Sequence, residues 1–246
     1  MLGSTFKIQE FDSILSTNEM MRFLVRKHDV DPFTVIMAQE QIAGKGQRGR
    51  KWVSEKGKNL LCSLFYKPEK MEANEQFILT QLISVSIVEA INKYIDHSIP
   101  KLSIKWPNDI YFGERKLAGI LIENAILGNY IQYSIIGVGL NINQEAFSDE
   151  LPNPVSLFQL SKKKQDIKSV LKEILENFDI NRHLARNVLK KKYAKHLFGL
   201  NELRSFIIRG ENRVASIKGV DNIGTLVLEF GKKQESFAYG SLEFIL

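Results

Sequence analysis

Residues 104–123 read IKWPNDIYFGERKLAGILIE. Two strand-like apolar runs lie on either side of Gly113, which supplies the turn of a hairpin. Pro107 holds Trp106 in extended backbone. Upstream lies "LSIKW" (102–106). Downstream, "KLAGILIENAIL" (116–127) and "YIQYSIIGVGL" (130–140) meet at Gly128-Asn129, a second turn. Strands in such quick order predict a mixed, largely antiparallel sheet joined by hairpins.

Working outward, "TFKIQEFDS" (5–13) alternates apolar and polar residues, as a half-buried strand does. In "STNEMMRFLVRKH" (16–28), Ser16 and Glu19 have capping-box spacing, and Met20, Phe23 and Leu24 make a helical stripe. "FTVIMA" (33–38) and "NLLCSLFY" (59–66) read as strands. A long helix follows from Asn74, with Ile78, Leu82, Val85, Val88, Ile91 and Ile95 at steps of three or four. Residues 165–196 are helical again, through Ile167, Leu171, Leu175 and Phe178. Beyond about residue 200 the character changes: "SFIIR", "RVASIKGV", "TLVLEF" and "QESFAY" alternate with turns at Gly210, "DNIG" and "GKK". That pattern predicts a small β-barrel or sandwich. The expected fold is α+β: a mixed, largely antiparallel sheet with packed helices over 1–200, and a small barrel over 201–246.

Composition narrows the function. The chain has 246 residues, 44% of them hydrophobic, enough for a proper core. No run of about 18 apolar residues suggests a membrane helix. The start, "MLGSTFKIQEFD", lacks the basic-then-apolar order of a secretory signal. The single cysteine, Cys62, sits among apolar neighbours, as a buried inert thiol in a reducing cytoplasm does. A net charge of +6 permits contact with nucleic acid without demanding it. The runs Lys162–Lys164 and Lys190–Lys192 read as solvated faces. His28, His97, His183 and His196 show no metal-ligand spacing. No G-x-S-x-G elbow or Ser-His-Asp set declares itself.

Residues 43–52, AGKGQRGRKW, concentrate charge. Gly44, Gly46 and Gly49 have the spacing of a dinucleotide fingerprint, yet no helical stripe follows to face a pyrophosphate. The physics of an anion loop remains. Glycines let amides approach a phosphate, and Lys45, Arg48, Arg50 and Lys51 stand together with no acid between Gln41 and Ser54. Trp52 offers a ring face. Self-repulsion predicts mobility until a ligand arrives. A plain basic surface loop is the other reading.

Residues 105–119 hold a second cluster: Lys105, Trp106, Asn108, Asp109 and Lys116. Lys116 opens a strand that is otherwise apolar, so it either snorkels to water or aims into a pocket. Gly119 permits a close approach to the backbone. Thr17 and Asn18 follow the cap and face either a neutral polar ligand or solvent. Asn141 and Asn143 end "IIGVGLNIN" (135–143), where glycine-flanked polar groups often meet a ligand.

In this order, "STN", "QIAGKGQRGRKW", "KWPNDIY…RKLAGILIE" and "IGVGLNIN" resemble a biotin protein ligase across almost the whole chain. The resemblance implies a class II synthetase-like catalytic domain and a small C-terminal SH3-like β-barrel ending "YGSLEFIL". It implies two steps: biotin and ATP give biotinyl-5′-AMP and pyrophosphate, and a lysine on the biotin carrier domain of a carboxylase then takes the biotinyl group. By the same resemblance, Lys116, Asp109 and Lys45 are catalytic. Ser16, Thr17, Asn18, Gln41, Lys45, Gly46, Gln47, Lys116 and Gly119 face biotin. Arg48, Arg50, Trp52, Lys105, Asn108 and Asn141 face the nucleotide. Magnesium is expected on the ATP phosphates, without a protein cage.

Two departures from that pattern matter. The family loop usually reads Gly-Arg-Gly-Arg; here it reads Gly44-Lys45-Gly46-Gln47, which removes one charge and predicts looser retention of biotinyl-AMP. The first strand starts by about residue 5, so no operator-binding domain is expected and no repressor activity. Alternatives are a lipoate ligase, which shares the chemistry, and a nucleic-acid module, which would bind with steep salt dependence and without ATP. Neither a nucleic-acid nor a membrane partner is expected. Two copies could pair through sheet edges near 130–140.

Overall fold

The computed structural model describes residues 5–96 and 101–246. His97 and the first four residues of the N-terminal stretch lie outside them. β1 (Lys7–Ile14), α1 (Thr17–Lys27) and β2 (Thr34–Gln41) form a parallel pair with its crossover helix. β3 (Leu60–Tyr66) precedes α2 (Phe77–Ile91). The hairpin strands follow as β4 (Leu102–Lys105), β5 (Asp109–Phe112), β6 (Arg115–Leu127) and β7 (Tyr130–Leu140). They join one sheet in the order β1-β2-β3-β7-β6-β5-β4, antiparallel except at β1–β2. Helices α3 (Leu157–Ser161), α4 (Ile167–Asn181) and α5 (Arg186–Lys195) come next. β8 (Leu203–Ile208), β9 (Glu211–Val220), β10 (Leu226–Phe230), β11 (Lys233–Phe237) and β12 (Leu242–Ile245) then make a second, antiparallel sheet in the order β11-β10-β9-β8-β12. The architecture is mixed α+β, and the second sheet is consistent with an SH3-like barrel.

Burial explains why the central strands are apolar throughout. Every residue of β3 is buried, because both faces are covered. On β2, Val35 and Met37 join the large core beneath α2 and α4, while Ile36 and Ala38 join a smaller core with Met21 of α1. Helix α2 is buried nearly all round, as its uniformly apolar sequence requires. Cys62 is buried, and burial pushes its thiol up to about 12. Among the described residues, no helix is long and apolar enough to cross a membrane.

Three sequence readings change. Ser16 occupies the N-cap position of α1, but its side chain makes no capping bond; Glu19 instead ion-pairs with Lys45. In the α1 stripe it is Met21 that is fully buried, whereas Phe23 is exposed. The segment near 130–140 is no free edge, because β7 is hydrogen-bonded to both β3 and β6. The outer strands of this sheet are β1 and β4, and β4 is covered in part, since Ile104 N donates to His196 O at 2.7 Å and Phe198 N to Ile104 O at 3.0 Å; only unpaired edges offer backbone groups to a second copy.

Candidate active site

The site is built where β6 meets β5. The ladder slips between Ile110 and Tyr111: Ile110 faces Ala118, Tyr111 faces Lys116, and Leu117 is the extra residue. Such a bulge re-aims side chains. It buries Leu117 and Ala118 in the core and turns both Lys116 and Gly119 toward one cavity. Lys116 therefore aims into a pocket. Its Nζ lies 2.8 Å from Asp109 Oδ1.

That cavity measures about 400 Å³, within the range that holds small ligands. Apart from Asn143, the residues the sequence nominated line it: Ser16, Thr17, Asn18 and Gln41; Lys45, Gly46, Gln47, Arg48, Arg50 and Trp52 of the loop; and Lys105, Asn108, Asp109, Lys116, Gly119 and Asn141. Asn143 does not; it bonds Gln165 on both sides of its amide.

Thr17 and Asn18 are buried and bound into a polar network, not turned to solvent. Thr17 N and Oγ1 donate to Gln41 Oε1 at 2.8 and 3.1 Å. Ser63 Oγ lies 2.7 Å from Thr17 Oγ1 and 2.6 Å from Asn18 Oδ1. Asn18 Nδ2 donates to Glu123 at 2.8 Å. Gly137 makes room for this: a Cβ there would stand 2.3 Å from Asn18 Oδ1. Sequence reading missed Ser63, although a serine inside an otherwise apolar strand is a visible signal.

The loop is a small hairpin. Gly46 N donates to Arg50 O at 2.7 Å and Trp52 N to Gly44 O at 2.9 Å, with Arg48 and Gly49 at φ 55° and 76° at the bend. The fold supplies partners for its charges that residue spacing does not reveal. Lys45 pairs with Glu19, and Arg48 sits over the Tyr239 ring at 5.0 Å. Trp52 lies on β6 and β7, where a Cβ on Gly119 or Gly139 would come within 2.9 or 2.4 Å of its indole. Among the described residues Trp52 Nε1 and Gln47 Oε1 are buried without a partner, and both residues line the cavity, so each is available to a ligand.

Two nominated asparagines spend their amide N–H groups on the frame. Asn108 Nδ2 donates to Ile120 O at 2.6 Å and Asn141 Nδ2 to Val155 O at 3.1 Å. Lys105 stands between the Tyr111 and Phe244 rings at 5.1 and 4.6 Å. Burial pulls its pKa below the usual lysine range; Asp109 opposes the shift, and Lys116 and Arg50 reinforce it. Burial likewise pushes the Tyr111 phenol up to about 12. The second sheet adds Tyr239, Gly240 and Phe244 to the wall, residues read earlier only as the barrel's end. The assembly sets neutral hydrogen-bonding groups and six cations, Lys45, Arg48, Arg50, Lys51, Lys105 and Lys116, against two carboxylates, Asp109 and Glu243, an excess of positive charge that suits holding two anionic reactants together.

Comparison with known proteins follows the same lines. The model of the biotin/lipoate A/B protein ligase family matches residues 10–141. The bifunctional ligase/repressor BirA of Bacillus spizizenii is 29% identical over 229 residues, covering 89% of this chain and 68% of that protein. The biotin–[acetyl-CoA-carboxylase] ligase of Mycobacterium tuberculosis is 26% identical over 207 residues, covering 82% and 75%. The biotin protein ligase of Aquifex aeolicus, solved with biotin and ATP, superposes with a TM-score of 0.80 over 97% of this chain and 98% of that one, at 24% identity.

Proposed function

The chain belongs to the biotin/lipoate A/B protein ligase family, and on that premise we propose that it is an ATP-dependent biotin protein ligase acting on the carrier domain of a biotin-dependent carboxylase. One observation carries the reading: the Lys116–Asp109 pair stands in a single cavity whose wall combines the Thr17–Gln41 polar network with the cations Lys105, Arg48 and Arg50.

In the first step the biotin carboxylate oxygen forms a bond to the α-phosphorus of ATP, and the bond to pyrophosphate breaks. Both reactants are anionic, so their approach needs cations. At an effective dielectric near 20, one cation about 4 Å from a phosphate contributes roughly 4 kcal/mol. Lys116 bridges the carboxylate and the α-phosphate. Lys105, Arg48 and Arg50 take the phosphates, Trp52, Asn108 and Asn141 the nucleoside side. Ser16, Thr17, Asn18, Gln41, Gly46, Gln47 and Gly119 line the biotin side, and Lys45 closes over the mixed anhydride to keep water out. Among the described residues no group of three acids, histidines or cysteines could hold a metal. A magnesium ion would therefore come on the triphosphate oxygens and supply charge neutralisation to the departing pyrophosphate. In the second step the carrier lysine nitrogen attacks the acyl carbon, AMP leaves with the bonding pair, and the nitrogen gives up a proton. Asp109 orients Lys116 and is the group assigned to receive that proton.

Residues 1–200 and 201–246 are read as the catalytic domain and its barrel, and the enzyme as cytoplasmic. For these 246 residues we propose ligase activity without operator binding, because every described element belongs to the two sheets and the helices packed on them. A gel-shift assay at physiological salt checks this; a footprint on an operator overturns it.

The test is biotin-stimulated ATP–pyrophosphate exchange, followed by transfer to an isolated carrier domain, with Lys116→Ala as control. Exchange driven by lipoate instead of biotin changes the substrate. Absence of exchange with either overturns the reading.

A further inference from the structure

We propose that Tyr239, in the turn between β11 and β12, and Phe244, on β12, are positioning residues that seat two phosphate-facing cations, Arg48 and Lys105, on aromatic faces. This inference rests on the ligase reading.

Four of the cavity's cations are held by contacts of two kinds. Lys45 and Lys116 are ion-paired, with Glu19 and Asp109, and Lys116 also lies 5.7 Å from the Trp52 ring centroid. Among the described residues, Arg48 and Lys105 have no carboxylate within salt-bridge distance, although both line the same wall. Each lies instead against a ring. Arg48 Cζ is 5.0 Å from the Tyr239 centroid, and its Nη1 donates to Gly240 O at 3.4 Å. Lys105 Nζ is 4.6 Å from the Phe244 centroid, with Tyr111 beside it at 5.1 Å. The difference has a chemical consequence. A carboxylate partner fixes a cation but cancels the charge and must be displaced by an incoming phosphate. A ring face fixes the side chain through its quadrupole and leaves the formal charge for the phosphate. The arrangement therefore prepays the ordering of a flexible side chain without neutralising it.

The seats are fastened. Trp106 Nε1 donates to Gly224 O, at 2.9 Å, in the turn between β9 and β10, and its ring meets Tyr239 edge-on at 6.1 Å. A Cβ on Gly224 would stand 2.6 Å from Phe77, so this turn is pressed against the start of α2. Phe244 packs on Phe206 at 4.9 Å and on Phe198 at 6.3 Å. The two rings are thus carried by one sheet docked on the other. Gly240 completes the first seat, since a Cβ there would collide with the Arg48 guanidinium.

The experiment uses the full chain and biotin-stimulated ATP–pyrophosphate exchange, with biotin affinity titrated separately. Tyr239→Leu and Phe244→Leu are expected to raise the KM for ATP about fivefold each, the scale of a partly desolvated cation–ring contact, with the Kd for biotin within about twofold of native. Tyr239→Phe and Phe244→Tyr, which keep a ring, restore the KM. Phe244 is also packed within its own sheet, so if its leucine variant melts early the decision falls to Tyr239, which is 41% exposed. An unchanged KM in the leucine variants overturns the seating alone, as does an equal loss in the ring-keeping variants or a parallel loss of biotin affinity. A native enzyme without exchange overturns the ligase reading, and the seating with it.

Discussion

Asp109 Oδ1 and Lys116 Nζ stand 2.8 Å apart across the β5–β6 hairpin, in register positions that only the Leu117 bulge allows. The pair is partly shielded, with the Asp109 side chain 18% exposed, so each member holds the other in place more firmly than a surface ion pair would.

Removing that lysine should stop adenylate formation. Lys116→Ala is expected to lower biotin-dependent exchange by about 10²–10³-fold, the loss typical of a group that stabilises transition-state charge. Asp109→Asn keeps the lysine but frees it, and a loss on the order of tenfold is expected. Circular dichroism melts should match native for both. Exchange at the native rate in Lys116→Ala removes it from the chemistry.

Gln47 sits where an arginine is usual in the resembling loops, and its Oε1 is buried without a partner. Gln47→Arg should slow the release of biotinyl-AMP by about tenfold, equivalent to roughly 1.4 kcal/mol. Rapid filtration of the labelled adenylate measures this. Native release as slow as the variant's contradicts the expectation.

Lys105 gives a pH dependence. Burial lowers its pKa below the usual lysine value of 10.5. Between the folded value and 10.5 the unfolded chain binds more protons than the folded one, so stability contributed by this group rises with pH across that window. Attraction for phosphate falls over the same window. The kcat/KM for ATP should therefore decline on the alkaline side below pH 10.5, and Lys105→Arg should move the decline upward. An identical alkaline limb in the variant assigns it to another group.

Tyr193 is buried against Phe77 at 5.5 Å, and its Oη has no partner among the described residues. An unsatisfied buried hydroxyl costs about 1–3 kcal/mol. Tyr193→Phe should raise stability by about 1 kcal/mol, seen as a higher urea midpoint at unchanged m. A lower midpoint would show that Oη is hydrogen-bonded in solution.

Much of this was legible in the residues, for identifiable reasons. Turns at Gly113 and Gly128-Asn129 sit between strands that pair locally, so the β5–β6–β7 meander follows from short-range chemistry. Alternation marked β1 as a strand, but its parallel pairing with β2 depends on α1 crossing over. The aim of Lys116 was undecided because a one-residue bulge sets it, and a bulge at Leu117 leaves no compositional trace. Glu19 read as half of a capping box because the spacing fits; its partner Lys45 is 26 positions away. Tyr239 and Phe244 were invisible as wall residues because they reach the cavity only once the second sheet docks on the first.

Ser16 and Phe244 line the same cavity. A copy still emerging from the ribosome therefore lacks one wall until Phe244 has been made and released. Contacts so far apart along the chain also form slowly. On the ligase reading, the nascent polypeptide is thus kept from activating a vitamin it has no means to shelter, and competence arrives only when the second sheet docks on the first.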